Sequence, residues 1–369
     1  MTVDVSSRVA RTRAALDATG LDGLVVTPGP DLRYLTGYDA KPLERLTALV
    51  LPRGGDPILV VPLLELAEAE RSPAALAGME IRTHGETDDA IAVAVAPLAG
   101  SAQVAVDDHM WAQRVFALQA ALPDAGWQEA GPVISALRMR KGADEVAALR
   151  RAGQAIDRVH ARVGDLLRVG RTEREVGADI ARAIVEEGHE TADFVIVGSG
   201  PNGASPHHGV SDRGIEAGDT VVVDIGGTTS EGYCSDSTRT YVVGAEPAPD
   251  VAEYYAVLLE AQRAQCDAAA PGMAAEAVDQ VGRQIIEAAG FGQYFVHRTG
   301  HGIGLETHEE PYIVEGNTLR LEPGMAFSIE PGIYLPGRHG ARIEDIVVTT
   351  DAGVERLNTR PRELTRVAG

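Results

Sequence analysis

At 369 residues the chain exceeds the usual size of one domain, and 44% hydrophobic residues suffice to bury a real core, so two globular domains are expected. A formal charge of -21 argues against nucleic acid or an anionic membrane as partner, because phosphate binding needs a basic surface. No apolar run approaches a bilayer span, Met1–Arg13 lacks an apolar signal core, and the two cysteines, Cys234 and Cys266, make no disulfide framework, so a reduced, cytoplasmic protein is expected.

The first third alternates helix and strand. Ser6–Thr19 reads as an amphipathic helix closed by Gly20, and Leu24–Thr27 as a strand broken by Pro28-Gly29-Pro30. Asp31 is placed to cap a short helix through Leu35. Strands are expected at Leu46–Leu51, Ile58–Val61, Met79–Thr83 and Gln103–Val106, with helical stretches Leu63–Arg71, Asp88–Leu98 and Met110–Ala121 between them. This predicts a small α/β layer domain over residues 1–135, followed by a second domain over 136–369. The first domain is chemically quiet: His84 and His109 stand without ligand-spaced partners, and Asp108 is expected to be a helix N-cap.

In the second domain, long helices are expected at Asp144–Leu167 and Thr172–Glu187, the latter capped by Thr172 with Glu175 three residues on. A strand at Phe194–Val197 leads into a loop rich in glycine and proline that carries His207 and His208. Thr220–Gly227 is an apolar run that ends in Asp224, a costly residue to bury unpartnered, although a turn aspartate ahead of Gly226-Gly227 is the plainer alternative. Ser235–Val243 follows with Asp236 at its start, and a turn at Gly226–Gly232 would make the two runs a hairpin with both acids close together. Two adjacent carboxylates repel unless a proton or cation lies between them.

After two helices, Asp250–Ala269 and Ala274–Ala289, comes a stretch holding three of the ten histidines, His297, His301 and His308, among three glycines. It reads as a polar surface loop or as a site where backbone and ligand approach closely. Ala326–Tyr334 then places Glu330 at the end of a strand, and Arg342–Val348 places Glu344 at the start of one. Four acids beside apolar strands (Asp224, Asp236, Glu330, Glu344) and His301 form a set of hard oxygen ligands with one imidazole, suited to Mn, Co or Fe and also to Zn. Five such residues exceed the needs of one ion when carboxylates bridge, so two metals are expected.

Val223–Gly226, Ser235–Arg239, His301–Gly304, Ile329–Gly332 and Arg342–Asp345 together resemble the signatures of the pita-bread metallopeptidases, in the prolidase and aminopeptidase P branch, over about residues 140–365. The first third is similar, more weakly, to the N-terminal domain of that branch and of creatinase. The resemblance implies a creatinase-like α/β domain followed by a pita-bread catalytic domain. It implies two divalent ions, commonly Mn(2+), with Asp224 on one, His301 and Glu330 on the other, and Asp236 and Glu344 bridging. His207, His297 and His308 are similar to the family's outer-sphere histidines, and Arg342 and Tyr334 to groups that hold the metal-binding carboxylates. The implied activity is hydrolysis of the Xaa-Pro bond in dipeptides or short peptides by a dimetal-activated hydroxide, with Glu330 as general base and then acid, in a homodimer. One departure concerns the arginine that many prolidases carry shortly after the last of these histidines. Glu309-Glu310-Pro311-Tyr312 occupies that region and no arginine precedes Arg320, which leaves Arg338 as a substitute and peptide length open. A creatinase-like hydrolase lacks the metal carboxylates, and a non-catalytic relative on the same fold loses ligands, so both are the weaker alternatives.

Overall fold

The structure, a computed structural model, describes residues 4–369 and forms two compact units, Met1–Arg138 and Met139–Gly369. In the first, the helix Val5–Thr19 is opened by Asp4, whose side chain accepts from the Ser7 N–H, and closed by Gly20 at φ 73°. Six strands, β1 (Gly23–Val26), β2 (Ala48–Pro52), β3 (Ile58–Pro62), β4 (Glu80–His84), β5 (Gln103–Val106) and β6 (Gly126–Glu129), form one sheet in the order β4-β3-β2-β1-β5-β6. Both faces of β1, β2 and β3 are buried, which is why those strands read as unbroken apolar runs.

Two expectations fail here. Asp31 is not a cap: the helix Pro30–Thr36 starts from Gly29, and Asp31 pairs with Arg138 at 2.7 Å. Asp108 is not a cap either: the helix Ala112–Ala121 starts after Trp111, and the Asp108 carboxylate accepts from the Gly131 N–H at 2.8 Å. In both cases a partner distant in sequence outbid the local backbone donors. His84 is buried with Nε2 2.8 Å from the Leu46 carbonyl, a core histidine satisfied by backbone.

The second unit stacks helices on two sheets. Strands β7 (His189–Ser199), β8 (Thr220–Thr229), β9 (Cys234–Val243) and β17 (Thr365–Val367) form a sheet in the order β17-β9-β8-β7; β10 (Gly300–Gly302), β11 (Glu309–Ile313), β12 (Ala326–Ile329), β15 (Asp345–Thr350) and β16 (Gly353–Arg356) form another, in the order β11-β10-β12-β15-β16. A ribbon of β13 (Gly332–Leu335) and β14 (His339–Arg342) lies between β12 and β15 in sequence. The first sheet is backed by the helices Ala143–Leu166 and Glu173–Glu186, whose Ile156, Val159, Ile180 and Ile184 pack on Val221, Val223 and Ile225 of β8. The second is backed by Pro249–Ala268 and Ala275–Ala288, with Cys266 and Val278 in one core with Phe327, Ile329 and Val347.

Strand parity positions the chemistry. Side chains alternate faces along a strand, so burying Val221, Val223 and Ile225 under helices turns Asp224 to the other face. The hairpin register pairs Asp224 with Thr238 and Gly226 with Asp236, so the two acids sit diagonally on that same face. The connecting turn lies later than expected: β8 runs through Gly226 and Gly227 to Thr229 before reversing. The glycines are there for space, since a Cβ on Gly226 would run into the Phe194 ring and one on Gly227 into the Thr191 carbonyl. Similarly β7 is much longer than Phe194–Val197, because pairing with β8 extends it from His189 to Ser199.

Candidate active site and metal centre

Only the centre of the histidine stretch is a strand, the buried Gly300–Gly302, and His297 and His308 lie in the irregular segments on either side of it. His301 is centred in β10, which pairs with β11 and β12, and it is 3% exposed. Gly300 and Gly302 flank it because a Cβ at either position would run into the carbonyls of Ser328 or Glu310. The His301 backbone N–H donates to Ser328 Oγ at 3.0 Å, and Nδ1 lies 3.0 Å from the Gly302 carbonyl. That contact makes Nδ1 a donor and aims Nε2 into the site, where it bonds Glu330 in the metal-free protein and would turn its lone pair to a bound metal.

Nε2 lies 3.2 Å from Glu330 Oε1 and 3.6 Å from Asp236 Oδ2. Three sets of donor atoms lie within 4.8 Å of one another: Asp224, Asp236 and Glu344; His301, Glu330 and Glu344; Asp236, His301 and His308. All five sequence-derived candidate ligands are thus brought together. His308 falls within the same radius, its ring 4.1 Å from that of His301. Thr238 Oγ donates to Glu344 Oε2 at 2.8 Å, Arg342 Nη2 to Asp224 Oδ2 at 2.5 Å and Ser328 Oγ to Glu330 Oε1 at 3.0 Å, so one oxygen of each of these carboxylates is oriented by the protein.

Electrostatically the cluster is incomplete as a purely protein object. Burial, then Glu344, Asp224 and Glu330, drives the Asp236 carboxyl well above its ordinary range; burial, then Glu330 and Asp224, does the same to Glu344. Glu330 is held down at about 2, because hydrogen bonding and charge from His301, with His297 and Arg342, outweigh its burial. Asp224 Oδ1 and Glu344 Oε1 are buried without a hydrogen-bond partner among the described residues. Buried lone pairs on mutually repelling carboxylates are what a cation satisfies, so this donor set fits divalent metal.

Around it, Arg342 is buried and also donates to Tyr334 Oη (2.7 Å) and the Pro206 carbonyl (3.2 Å). Tyr334 Oη lies 2.9 Å from His297 Nε2, and His297 Nδ1 lies 2.7 Å from the Arg298 carbonyl, so both nitrogens of His297 are engaged within the protein. Burial, reinforced by His301 and Arg298, lowers His308 to about 4, which keeps this imidazole neutral near pH 7. His207 is exposed at the edge of the site, whereas His208 turns away to bond Glu173 at 2.8 Å. A cavity of about 860 Å³ opens onto the cluster, and His207, His297 and His308 line it.

Arg338 does not reach this cavity; it is an exposed partner of Asp250 at 2.5 Å. A different arginine does. Arg298 lines the cavity with its guanidinium 4.4 Å from the Tyr312 ring centre, and it has no carboxylate partner among the described residues. It lies three residues before His301, ahead of the position after the histidines where many prolidases carry their arginine.

Residues 147–351 match Metallopeptidase family M24, and residues 8–140 match the Creatinase/Prolidase N-terminal domain. The chain belongs to metallopeptidase family M24, with the mixed α/β architecture of a creatinase-type domain followed by a pita-bread domain. It is 56% identical over 358 residues to the probable dipeptidase PepE of Mycobacterium tuberculosis, covering 97% of this chain and 95% of that one. It is 37% identical to the Xaa-Pro dipeptidase of Lactobacillus delbrueckii subsp. lactis, covering 95% and 96%. Among solved structures, dipeptidase PepE from Mycobacterium ulcerans superposes with a TM-score of 0.95 at 55% identity, covering 100% of this chain and 99% of that one.

Proposed function

We propose that the chain is a dinuclear Xaa-Pro dipeptidase in which Asp224, Asp236, His301, Glu330 and Glu344 hold two divalent ions. The observation that carries this reading is the buried carboxylate cluster with its unpartnered oxygens. Bound there, the ions would supply Lewis acidity that polarises the scissile carbonyl and acidifies water.

The chain's own residues do the rest. Glu330, oriented through Oε1 by Ser328, takes a proton from the attacking water and passes it to the proline nitrogen, which has no hydrogen of its own. Neutral His308 donates a hydrogen bond to the developing oxyanion, and His207 binds substrate carbonyl oxygen at the rim. Arg342 locks Asp224 in place, and His297 and Tyr334 hold Arg342 in turn. Arg298 takes the C-terminal carboxylate, which favours dipeptides over longer chains, in keeping with the names of the relatives. Mn(2+) suits this oxygen-rich set with its single imidazole. A reducing cytoplasm suits two buried, unpaired cysteines, and the family resemblance suggests a homodimer.

The test is metal analysis followed by a substrate panel. The purified protein should carry roughly two divalent ions per chain. With Mn(2+) added, it should cleave Ala-Pro well ahead of Ala-Pro-Ala and Ala-Ala. A metal-loaded protein that ignores Ala-Pro overturns the reading, and a preference for Ala-Pro-Ala removes the role given to Arg298.

A further inference from the structure

Five carboxylates line the cavity, and four of them form the metal cluster. The fifth, Asp193, has no place in that chemistry. We propose that Asp193 is the anion that receives the positive charge of the substrate's N-terminal residue, an inference that rests on the peptidase reading above.

The backbone has been altered to bring this side chain to the cavity. Adjacent residues of a regular strand face opposite sides, yet Asp193 and Phe194 both line the cavity. The reason is a bulge. The register of β7 on β8 steps from Ala192–Gly227 to Phe194–Gly226, so Asp193 is the extra residue with no partner of its own. A bulge re-aims one side chain without ending the strand, at the cost of a disrupted ladder. Room for it comes from Gly226, where any Cβ would run into the Phe194 ring.

The carboxylate is also held ready. Thr191 Oγ donates to Oδ1 at 2.7 Å and Thr228 Oγ to Oδ2 at 2.5 Å, one hydroxyl on each oxygen. Each oxygen keeps a further lone pair, and among the described residues Asp193 enters no ion pair. The half-buried acids Asp179, Glu187 and Glu231 of this unit carry guanidinium partners, Arg171, Arg158 and Arg151, whereas the exposed Asp193 carries only its two hydroxyls. A single carboxylate that is oriented by neutral donors, left without a counter-ion and turned into a substrate cavity is built to take a cation. The cavity thereby presents two unspent charges of opposite sign, Asp193 and Arg298, and a dipeptide zwitterion carries one of each.

The cation has two sources, the α-ammonium of any substrate or a basic first side chain, and the test separates them. Asp193→Asn keeps shape and can still bond both threonines. Metal-loaded wild type and variant are compared on norleucyl-proline and lysyl-proline as substrates, with hexanoyl-proline, which lacks the amine, as competitive inhibitor. If the α-ammonium is read, the variant loses roughly tenfold in kcat/KM on both substrates, mostly through KM, while the inhibition constant of hexanoyl-proline is unchanged. If the side chain is read, the loss is confined to lysyl-proline. Either result supports the assignment. It is overturned if all three constants stay within about twofold of wild type, or if hexanoyl-proline weakens as much as the substrates do, which would mark a structural role. Wild type that cleaves neither substrate would instead defeat the peptidase reading itself, and this assignment with it.

Discussion

Two buried acidic regions lie in the same unit and have opposite electrostatics. Glu173, at the start of its helix, is completely buried and accepts from Ser199 (N–H and Oγ), Asn202, His208 and Ser211 (N–H and Oγ) at 2.6 to 3.2 Å. Burial pushes its pKa up, but these donors win and hold it at about 2. Asp236 and Glu344 are as deeply buried, yet they face other carboxylates and are driven up. A buried acid saturated by neutral donors is a structural clamp; buried acids that face one another mark a place for a cation. The clamp also serves the site, since its donors bracket the loop that carries His207 and the Pro206 carbonyl bonded by Arg342.

The largest effect should come from breaking the cation site. Asp236→Ala should lose bound metal and on the order of a thousandfold in turnover together, as metal analysis beside kinetics would show. A variant that is active while metal-depleted would erase the distinction drawn above. Stripping metal from the wild type should sharpen it. In the metal-free protein the folded pKa values of Asp236 and Glu344 are raised, so their contribution to stability is fully present at low pH and is lost as pH rises through those values. Chelator should therefore lower the melting temperature more at pH 8 than at pH 5.

Glu173 runs the other way. Its folded pKa is depressed from 4.5 to about 2, so its stabilisation is present above pH 4.5 and is lost as pH falls toward 2. Glu173→Gln should cost about 3 kcal/mol in urea unfolding at pH 7 and flatten the acid limb of stability over that window, with metal content unchanged. The smallest effect belongs to His208→Ala, which removes one donor of the clamp: about 1 kcal/mol, with the metal site intact. An equal loss of metal in both variants would mean that the two regions are one network.

The readable parts of the site were acids beside apolar strands, because an ionisable residue in a β-rich apolar run stands out without any fold. Glu173 did not stand out: Thr172-Glu173-Arg174-Glu175 reads as a capping box, which it is, with Glu175 as the reciprocal partner, and nothing local says that Glu173 points inward. Asp193 was hidden by the bulge, since a regular alternation puts it opposite Phe194. Arg298 was hidden because its relevance depends on which way a short strand runs through the cavity wall. Asp31 and Asp108 misled for the converse reason, their local capping options having lost to Arg138 and the Gly131 N–H.

By itself, then, the sequence determined the longer helices and strands, the α/β character, the family and the five candidate ligands, since periodicity and acid placement are local properties of the chain. Tertiary structure alone decided which oxygens face one another, which histidine nitrogen is aimed into the site, and which charges in the cavity remain unspent. Those depend on register, a bulge and the crowding around Gly226, Gly300 and Gly302, all of which arise only when strands distant in sequence are laid side by side.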